Sequence, residues 1–289
     1  MQRCAWYSVR TMAITEEEIK GIEAKARDIR VTIIRMLVAA KSGHTAGPLG
    51  MTDIFTTLYF HTAKHDPKNP EWDERDRIVL SNGHIAPVRY ATMAHAGYFP
   101  VEEAQTTLRK LGSRFQGHPE REKLPGMETT SGPLGSGVSQ ASGMAYGLRM
   151  DGKKNHVYCL TSDGEQQEGN TWEGVMFAGK YKLANLTQIM DRNFIQIEGN
   201  TEAIMPLEPL ADKYRAFNWH VIEIDGHNIR EIVDSLEHAK EIADRPTLIL
   251  ANTIPGKGVK EIEGDYKWHG KPPTSEEAEK FITEIMASV

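Results

Sequence analysis

Cysteine is scarce: the chain has two among 289 residues, Cys4 and Cys159. Cys4 stands in a polar N-terminal stretch and Cys159 in an apolar run. The pair does not read as a structural disulfide, and the usage fits a reducing cytoplasm. Long apolar runs are missing as well, so no membrane-spanning helix and no membrane partner is expected. The opening "MQRCAWYSVRTMAIT" carries two Arg with no apolar segment behind them, which argues against a secretory signal. Residues 1–13 read as a disordered extension, and 14–289 as one domain. Basic charge is not in excess. Lys and Arg number 34 against 40 Asp and Glu, a net charge of −6, which argues against nucleic acid as the main partner. Internal repeats and low-complexity linkers are absent.

The rest of the composition is that of an ordinary globular protein, 39 % hydrophobic and 26 % charged, with ample material for a core. Residues 15–41 predict a long amphipathic helix, because Ile19, Ile22, Ala26, Ile29, Ile33 and Leu37 recur at spacings of three and four. Thr15 followed by three Glu supplies a cap and acid at its positive end. "SGHTAGPLG" (42–50) interrupts the pattern, and a second helix is expected from about Thr52-Asp53. Short apolar runs follow at 77–84, 156–164, 186–193, 220–227 and 247–254. Each is of strand length and ends in Gly, Asn, Asp or a similar turn former. Helical patterns at 139–149, 172–183, 208–217 and 229–243 lie between them. This alternation predicts an α/β fold: a mostly parallel sheet with helices on both faces. Ligands of such sheets sit beyond the C-terminal ends of the strands, so the polar strand-end segments share one address.

Two of those segments carry hard oxygen donors. Asp163-Gly164 follows one strand and Asn193 follows the next. A carboxylate and an amide oxygen suit Mg²⁺, with Ca²⁺ as the alternative, and not zinc. Gly164 lets a phosphate approach the backbone closely, and a helix starting near Asn170 or Thr171 could aim its N-terminus nearby. Alone, "DG" is an ordinary turn. Together, "SDGEQQEGNTWE" and "MDRNFIQIEGN" resemble the thiamin diphosphate fingerprint of transketolases. Further segments resemble that family in its own order: "SGHTAGPLG", "DRIVLSNGHIAPVRYA", "GHPE", "TTSGPLGSGVSQASGMAYG" and "KWHG". The resemblance covers residues from about 15 to 275.

The resemblance implies a thiamin diphosphate-binding fold and a set of roles. Asp163, Asn193 and the carbonyl of Ile195 would ligate Mg²⁺. Gly164, His84, Gly132, Pro133, Leu134 and Glu168 would lie along the cofactor, with Ile195 and His269 beside it. His44, His118 and His269 would face the substrate as catalytic groups. Glu168 and Glu173 would line a subunit interface. Histidine suits the binding and deprotonation of sugar hydroxyls because its ordinary pKa is about 6.5. The cofactor supplies the carbanion chemistry that moves a two-carbon ketol unit between sugar phosphates.

The sequence departs from the family pattern in places. Thr45-Ala46-Gly47 stands where Pro-Gly-Ala is usual, and Ser162 replaces a common Gly. Lys257 and Lys260 lie in a Lys-rich version of a mobile loop and receive no role. His61 and His65 have zinc spacing without further ligands and read as solvated. Trp172 and Trp219 read as core or interface aromatics, and Glu165 as part of a solvated loop. No counterpart of the family's pyrimidine-binding domain, with its cofactor-activating glutamate, is present. The expectation is therefore the N-terminal subunit of a split, cytoplasmic transketolase of the pentose phosphate type. It would be active with a separate C-terminal subunit, forming a heterotetramer of two copies of each chain. Alternatives are the same half of a dihydroxyacetone or deoxyxylulose-phosphate synthase, an enzyme for a branched or modified sugar phosphate, or a non-catalytic cofactor-binding subunit.

Overall fold

The structure is a computed structural model that describes residues 14–287. The expected N-terminal extension lies outside the described residues. Helix α1 (Glu16–Ala40) is fixed by a capping box. Thr15 Oγ1 accepts from the Glu18 N–H at 3.2 Å, and Glu18 Oε2 accepts from the Thr15 N–H at 2.8 Å. Lys41 ends the helix in the left-handed region, at φ 51°. Helices α2 (Ala46–Gly50) and α3 (Thr52–Thr57) follow, so most of the Gly/Pro segment after His44 is helical and buried.

Five strands form one parallel sheet: β1 (Arg77–Leu80), β2 (Val157–Ser162), β3 (Leu186–Arg192), β6 (His220–Asp225) and β7 (Thr247–Asn252). Their spatial order is β1-β2-β3-β7-β6. A separate hairpin, β4 (Ile195–Gln196) with β5 (Gly199–Asn200), projects beyond the end of β3. The remaining helices are α4 (Ala86–His95), α5 (Val101–Thr107), α6 (Ser136–Met150), α7 (Gly169–Lys180), α8 (Thr201–Ile204), α9 (Leu210–Ala216), α10 (Ile229–Glu241) and α11 (Ser275–Ala287).

Alternate residues of each strand feed two cores. Ile78, Leu80, Leu160, Ile189 and Ile249 pack with residues of α1, α3, α4, α10 and α11 on one face. Val79, Cys159, Met190 and Leu248 pack with residues of α6, α7 and α9 on the other. Such two-sided burial explains the unbroken apolar runs. The chain steps from β1 to β3 in one direction and back from β6 to β7 in the other. Right-handed crossovers then put α7 and α10 on opposite faces. Cys159 is a buried free thiol. No helix among the described residues is long and apolar enough to cross a membrane.

The strand runs read from sequence extend past the observed strands, because their last residues form the turns at the C-terminal edge. Helix α7 begins at Gly169, earlier than the apolar pattern indicated.

Candidate cofactor and active site

The ends of β2 and β3 bring the expected metal ligands together. Asp163 is fully buried. Its Oδ2 accepts from the Phe194 N–H at 2.7 Å, and its Oδ1 accepts from the Gly164 N–H at 2.7 Å. The Asp163 N–H donates to the Asp191 carbonyl at 3.0 Å. Asn193 is oriented at both ends: its Nδ2 donates to Asp191 Oδ2 at 2.8 Å, and its Oδ1 accepts from the Ile195 N–H at 3.0 Å. Thr253, just past β7, donates to Asp191 Oδ1. Burial raises the pKa of Asp163 to about 6, although Arg192 and the Phe194 and Gly164 amides pull it down. Burial likewise raises Asp191 to about 7.

Arg192, which sequence reasoning left without a role, donates to Asp163 Oδ2 at 3.0 Å, to Glu202 at 2.7 Å and to Glu208 at 2.8 Å. It ties the segment after the β4–β5 hairpin back to the Asp163 carboxylate.

Glu165, expected in a solvated loop, is buried together with Gln166. Residues 164–167 form a 3-10 turn in which Glu165 and Gln166 are inaccessible to water. Gln166 Nε2 donates to the Ser162 carbonyl at 2.8 Å, and its Oε1 accepts from the Tyr214 hydroxyl at 2.6 Å. The Glu165 carboxylate accepts from Ser81 Oγ, from the Gly135 N–H at 2.5 Å and from the Ser162 N–H at 3.2 Å. Burial pushes its pKa up to about 7 against those three bonds. No pattern in the local sequence marks this burial, because two of the three donors come from the distant residues 81 and 135. Glu168 and Glu173, expected at an interface, are exposed at the start of α7. Trp172 is half-buried and donates to the Gln166 carbonyl at 3.0 Å, and Trp219 is buried.

Above this floor, the segment 131–135 lies against the loop after β1. A Cβ on Gly83 would fall 2.8 Å from Ser131 Cβ and 2.9 Å from the Gly132 nitrogen. Gly132 has φ +144°, and a Cβ there would lie 3.6 Å from the His118 ring. The close approach at Gly83 and the positive φ at Gly132 need glycine. At Gly164 a Cβ would have room, 3.6 Å from Gln196 Cβ. Nothing else in the described residues demands glycine at that position.

Three of the four selected histidines form a triangle. Ring centroids are 4.9 Å apart for His44 and His84, 5.4 Å for His44 and His269, and 5.2 Å for His84 and His269. Burial lowers the pKa of His44 to about 4, helped by His269, Arg109 and His118. Burial also lowers His269 and takes His84 well down. His118 is lowered by burial and by Arg109. The cluster is therefore neutral at pH 7, and each ring offers both a donor and an acceptor nitrogen. Arg109 braces the rim: its Nη1 donates to Ser42 Oγ at 3.0 Å, and its guanidinium lies where a Cβ on Gly117 would be, 2.9 Å away.

The departure at Thr45 has a structural answer. The fully buried Thr45 hydroxyl donates to the Lys271 carbonyl at 2.6 Å. That bond ties the His44 turn to the segment carrying His269. His61 is exposed, as expected, whereas His65 is half-buried and hydrogen-bonded within the protein. Its Nε2 bonds the Tyr59 carbonyl at 2.7 Å, and its Nδ1 lies 3.1 Å from the Tyr98 hydroxyl. Lys257 is half-buried and Lys260 exposed.

This strand-end region fits a polar ligand. His44 Nδ1, His269 Nδ1 and both amide atoms of Asn82 are buried without a hydrogen-bond partner. Buried polar groups left so are costly, and they mark a place where a ligand or water completes them. Among the described residues no group of three His, Cys, Asp or Glu side chains forms a metal cluster. The donors here are one carboxylate with amide and backbone oxygens, which is chemistry that suits Mg²⁺.

Residues 22–285 match the family described as "Transketolase, thiamine diphosphate binding domain". The chain belongs to this family. It is 42 % identical over 272 residues to the 6-deoxy-6-sulfo-D-fructose transketolase subunit SqwG of a Clostridium species, covering 94 % of this chain and 98 % of that one. It is 39 % identical over 265 residues to an apulose-4-phosphate transketolase subunit of Actinobacillus succinogenes, covering 91 % and 95 %. The crystal structure of the Campylobacter jejuni transketolase superposes with a TM-score of 0.85 at 36 % identity, covering 91 % of this chain and 43 % of that one. The chain thus spans less than half the length of whole transketolases and nearly all of the subunit-type relatives. The thiamin diphosphate-binding α/β fold read from the sequence is the one observed.

Proposed function

We propose that the chain is the diphosphate-binding subunit of a two-chain transketolase. Paired with a separate subunit carrying the pyrimidine-binding domain, it would transfer a two-carbon ketol unit from a ketose phosphate to an aldose phosphate. The observation that carries this reading is the neutral histidine triangle, with its unpartnered nitrogens, beside the Asp163–Asn193 strand ends.

Asp163, Asn193 and the carbonyl of Ile195 would hold Mg²⁺, and Gly164 would admit the diphosphate. Thiamin diphosphate, when bound, supplies the electron sink for cleaving and forming the carbon–carbon bond. Gly132, Pro133 and Leu134 would lie against its ring. His84 and His269 would orient the cofactor's polar groups. His44, His118 and His269 would hold sugar hydroxyls and take or return protons at their ring nitrogens. Their depressed pKa values keep them in the neutral, proton-accepting form at pH 7. Glu168 and Glu173, exposed at the start of α7, would meet the partner chain.

Support for a split enzyme comes from relatives that are themselves named subunits and match this chain nearly end to end. Those relatives also favour a second reading of the substrate, a modified or branched sugar in place of the ordinary pentose phosphates. Co-expression with a pyrimidine-domain partner, followed by assay of xylulose 5-phosphate with ribose 5-phosphate, tests the first reading. Sulfofructose and apulose 4-phosphate as donors test the second. An active complex that accepts neither set would remove the ketol-transfer reading.

A further inference from the structure

We infer that Glu165 is a positioning residue that sets the path of the 132–135 segment, the part of the chain that faces the cofactor ring. The inference rests on the site reading given above. Glu165 is fully buried and touches four separate parts of the chain. Its Oε1 accepts from Ser81 Oγ at the end of β1 and from the Gly135 N–H just before α6. Its Oε2 accepts from the Ser162 N–H at the end of β2, and its carbonyl accepts from Thr171 Oγ1 of α7 at 3.1 Å. Ser81 Oγ extends the chain of bonds by accepting from the Gly137 N–H at 3.0 Å.

The segment it anchors has little freedom on its other sides. Gly135 has φ +82°, and a Cβ there would sit 2.0 Å from Asn170 Oδ1 of α7. A Cβ on Gly137 would sit 2.3 Å from Ser81 Cβ. Residues 135–137 are therefore clamped between β1 and α7, and the Glu165 carboxylate supplies the acceptor that the clamp needs. Two of its donors are backbone N–H groups, which cannot rotate away. A carboxylate meets both, because each of its oxygens only accepts. The neutral amide of glutamine cannot. Its NH₂ would face either the Gly135 or the Ser162 N–H, leaving two donors opposed in a dry site. Relief of that conflict moves the Gly135 nitrogen, and with it Gly132, Pro133 and Leu134.

The test uses the complex with the partner subunit. Thiamin diphosphate affinity is read by tryptophan fluorescence in the presence of Mg²⁺, and the near-ultraviolet dichroism of the bound cofactor reports its setting. Glu165→Gln should weaken cofactor binding about tenfold or more and alter the dichroism, as an unsatisfied buried donor implies. The milder Ser81→Ala should weaken it a few-fold. Val175→Ala, on the core-facing side of α7 and away from the carboxylate's partners, serves as a control of matched stability and should bind cofactor as the wild type does. Wild-type affinity in both Glu165→Gln and Ser81→Ala would overturn the inference. So would an equal loss in the stability-matched Val175→Ala, which would reduce Glu165 to a general support of the fold. A wild-type complex that binds no thiamin diphosphate would instead overturn the site reading on which the inference stands.

Discussion

At the N-terminal end of the sheet, His156 hydrogen-bonds Thr187 Oγ1 at 2.8 Å, its N–H donates to Asp76 Oδ1 at 2.9 Å, and Arg75 pairs with Glu128. At the C-terminal end, His44, His84 and His269 stand ring against ring, with the Nδ1 atoms of His44 and His269 unpartnered. Both ends bury histidine and depress its pKa. One end gives the imidazole a protein partner and the other leaves partners to a ligand. The difference shows that burial alone does not mark a site here. Unpartnered polar atoms occur at both ends, Arg75 Nε, His220 Nε2 and Thr247 Oγ1 among them; the C-terminal end differs in setting its unpartnered nitrogens on adjacent rings beside glycine-bearing loops.

The most severe variant breaks the C-terminal end at Asp163, the proposed metal ligand. Asp163→Ala in the two-chain complex should lower Mg²⁺-dependent retention of thiamin diphosphate by more than about 100-fold, measured by cofactor content after gel filtration. Unchanged retention would place the metal elsewhere. Next, His118→Ala should reduce kcat by roughly 100-fold, the scale of a lost acid–base group, with cofactor affinity nearly unchanged. Steady-state kinetics together with a cofactor titration separate the two. Normal turnover would take His118 out of the substrate site.

A third variant probes the clamp between α6 and the end of β1. Gly137→Ala puts a methyl 2.3 Å from Ser81 Cβ. It should cost about 1–3 kcal/mol in urea unfolding, as overpacking does. A cost near zero would show that α6 shifts freely relative to β1. The last variant belongs to the N-terminal end, and its effect is confined to acid pH. Burial lowers His156 to about 3, whereas the unfolded residue titrates near 6.5. The unfolded chain therefore binds a proton that the native chain does not. This contributes a loss of stability as pH falls below about 6.5, of at most about 1.4 kcal/mol per pH unit, ending near the folded value. His156→Gln should flatten the unfolding free energy between pH 6 and pH 4 by up to one proton. An unchanged slope would mean that the buried imidazole is already protonated.

The same contrast explains what the sequence could and could not reveal. Asp163 and Asn193 were legible because each ends an apolar run, and parallel sheets gather strand ends. The histidines were legible because each sits in a Gly-bearing motif. Glu165 was not, since a carboxylate in "DGEQQEG" reads as a wet turn, and the Ser81 and Gly135 that bury it are remote in sequence. Arg192 escaped for a related reason: its three acidic partners lie at 163, 202 and 208. The hydroxyl of Thr45 meets a carbonyl at Lys271, far along the chain. Local pattern fixes the elements, whereas hydrogen bonds between distant segments fix how the site is held.

On the proposed function, this chain carries half of a transketolase site. Ketol transfer should be measured with the rigorously purified chain, with the purified pyrimidine-domain partner, and with the two titrated together. Neither chain alone should turn over substrate, and activity should saturate at equal numbers of the two. Substantial turnover by this chain alone would contradict it.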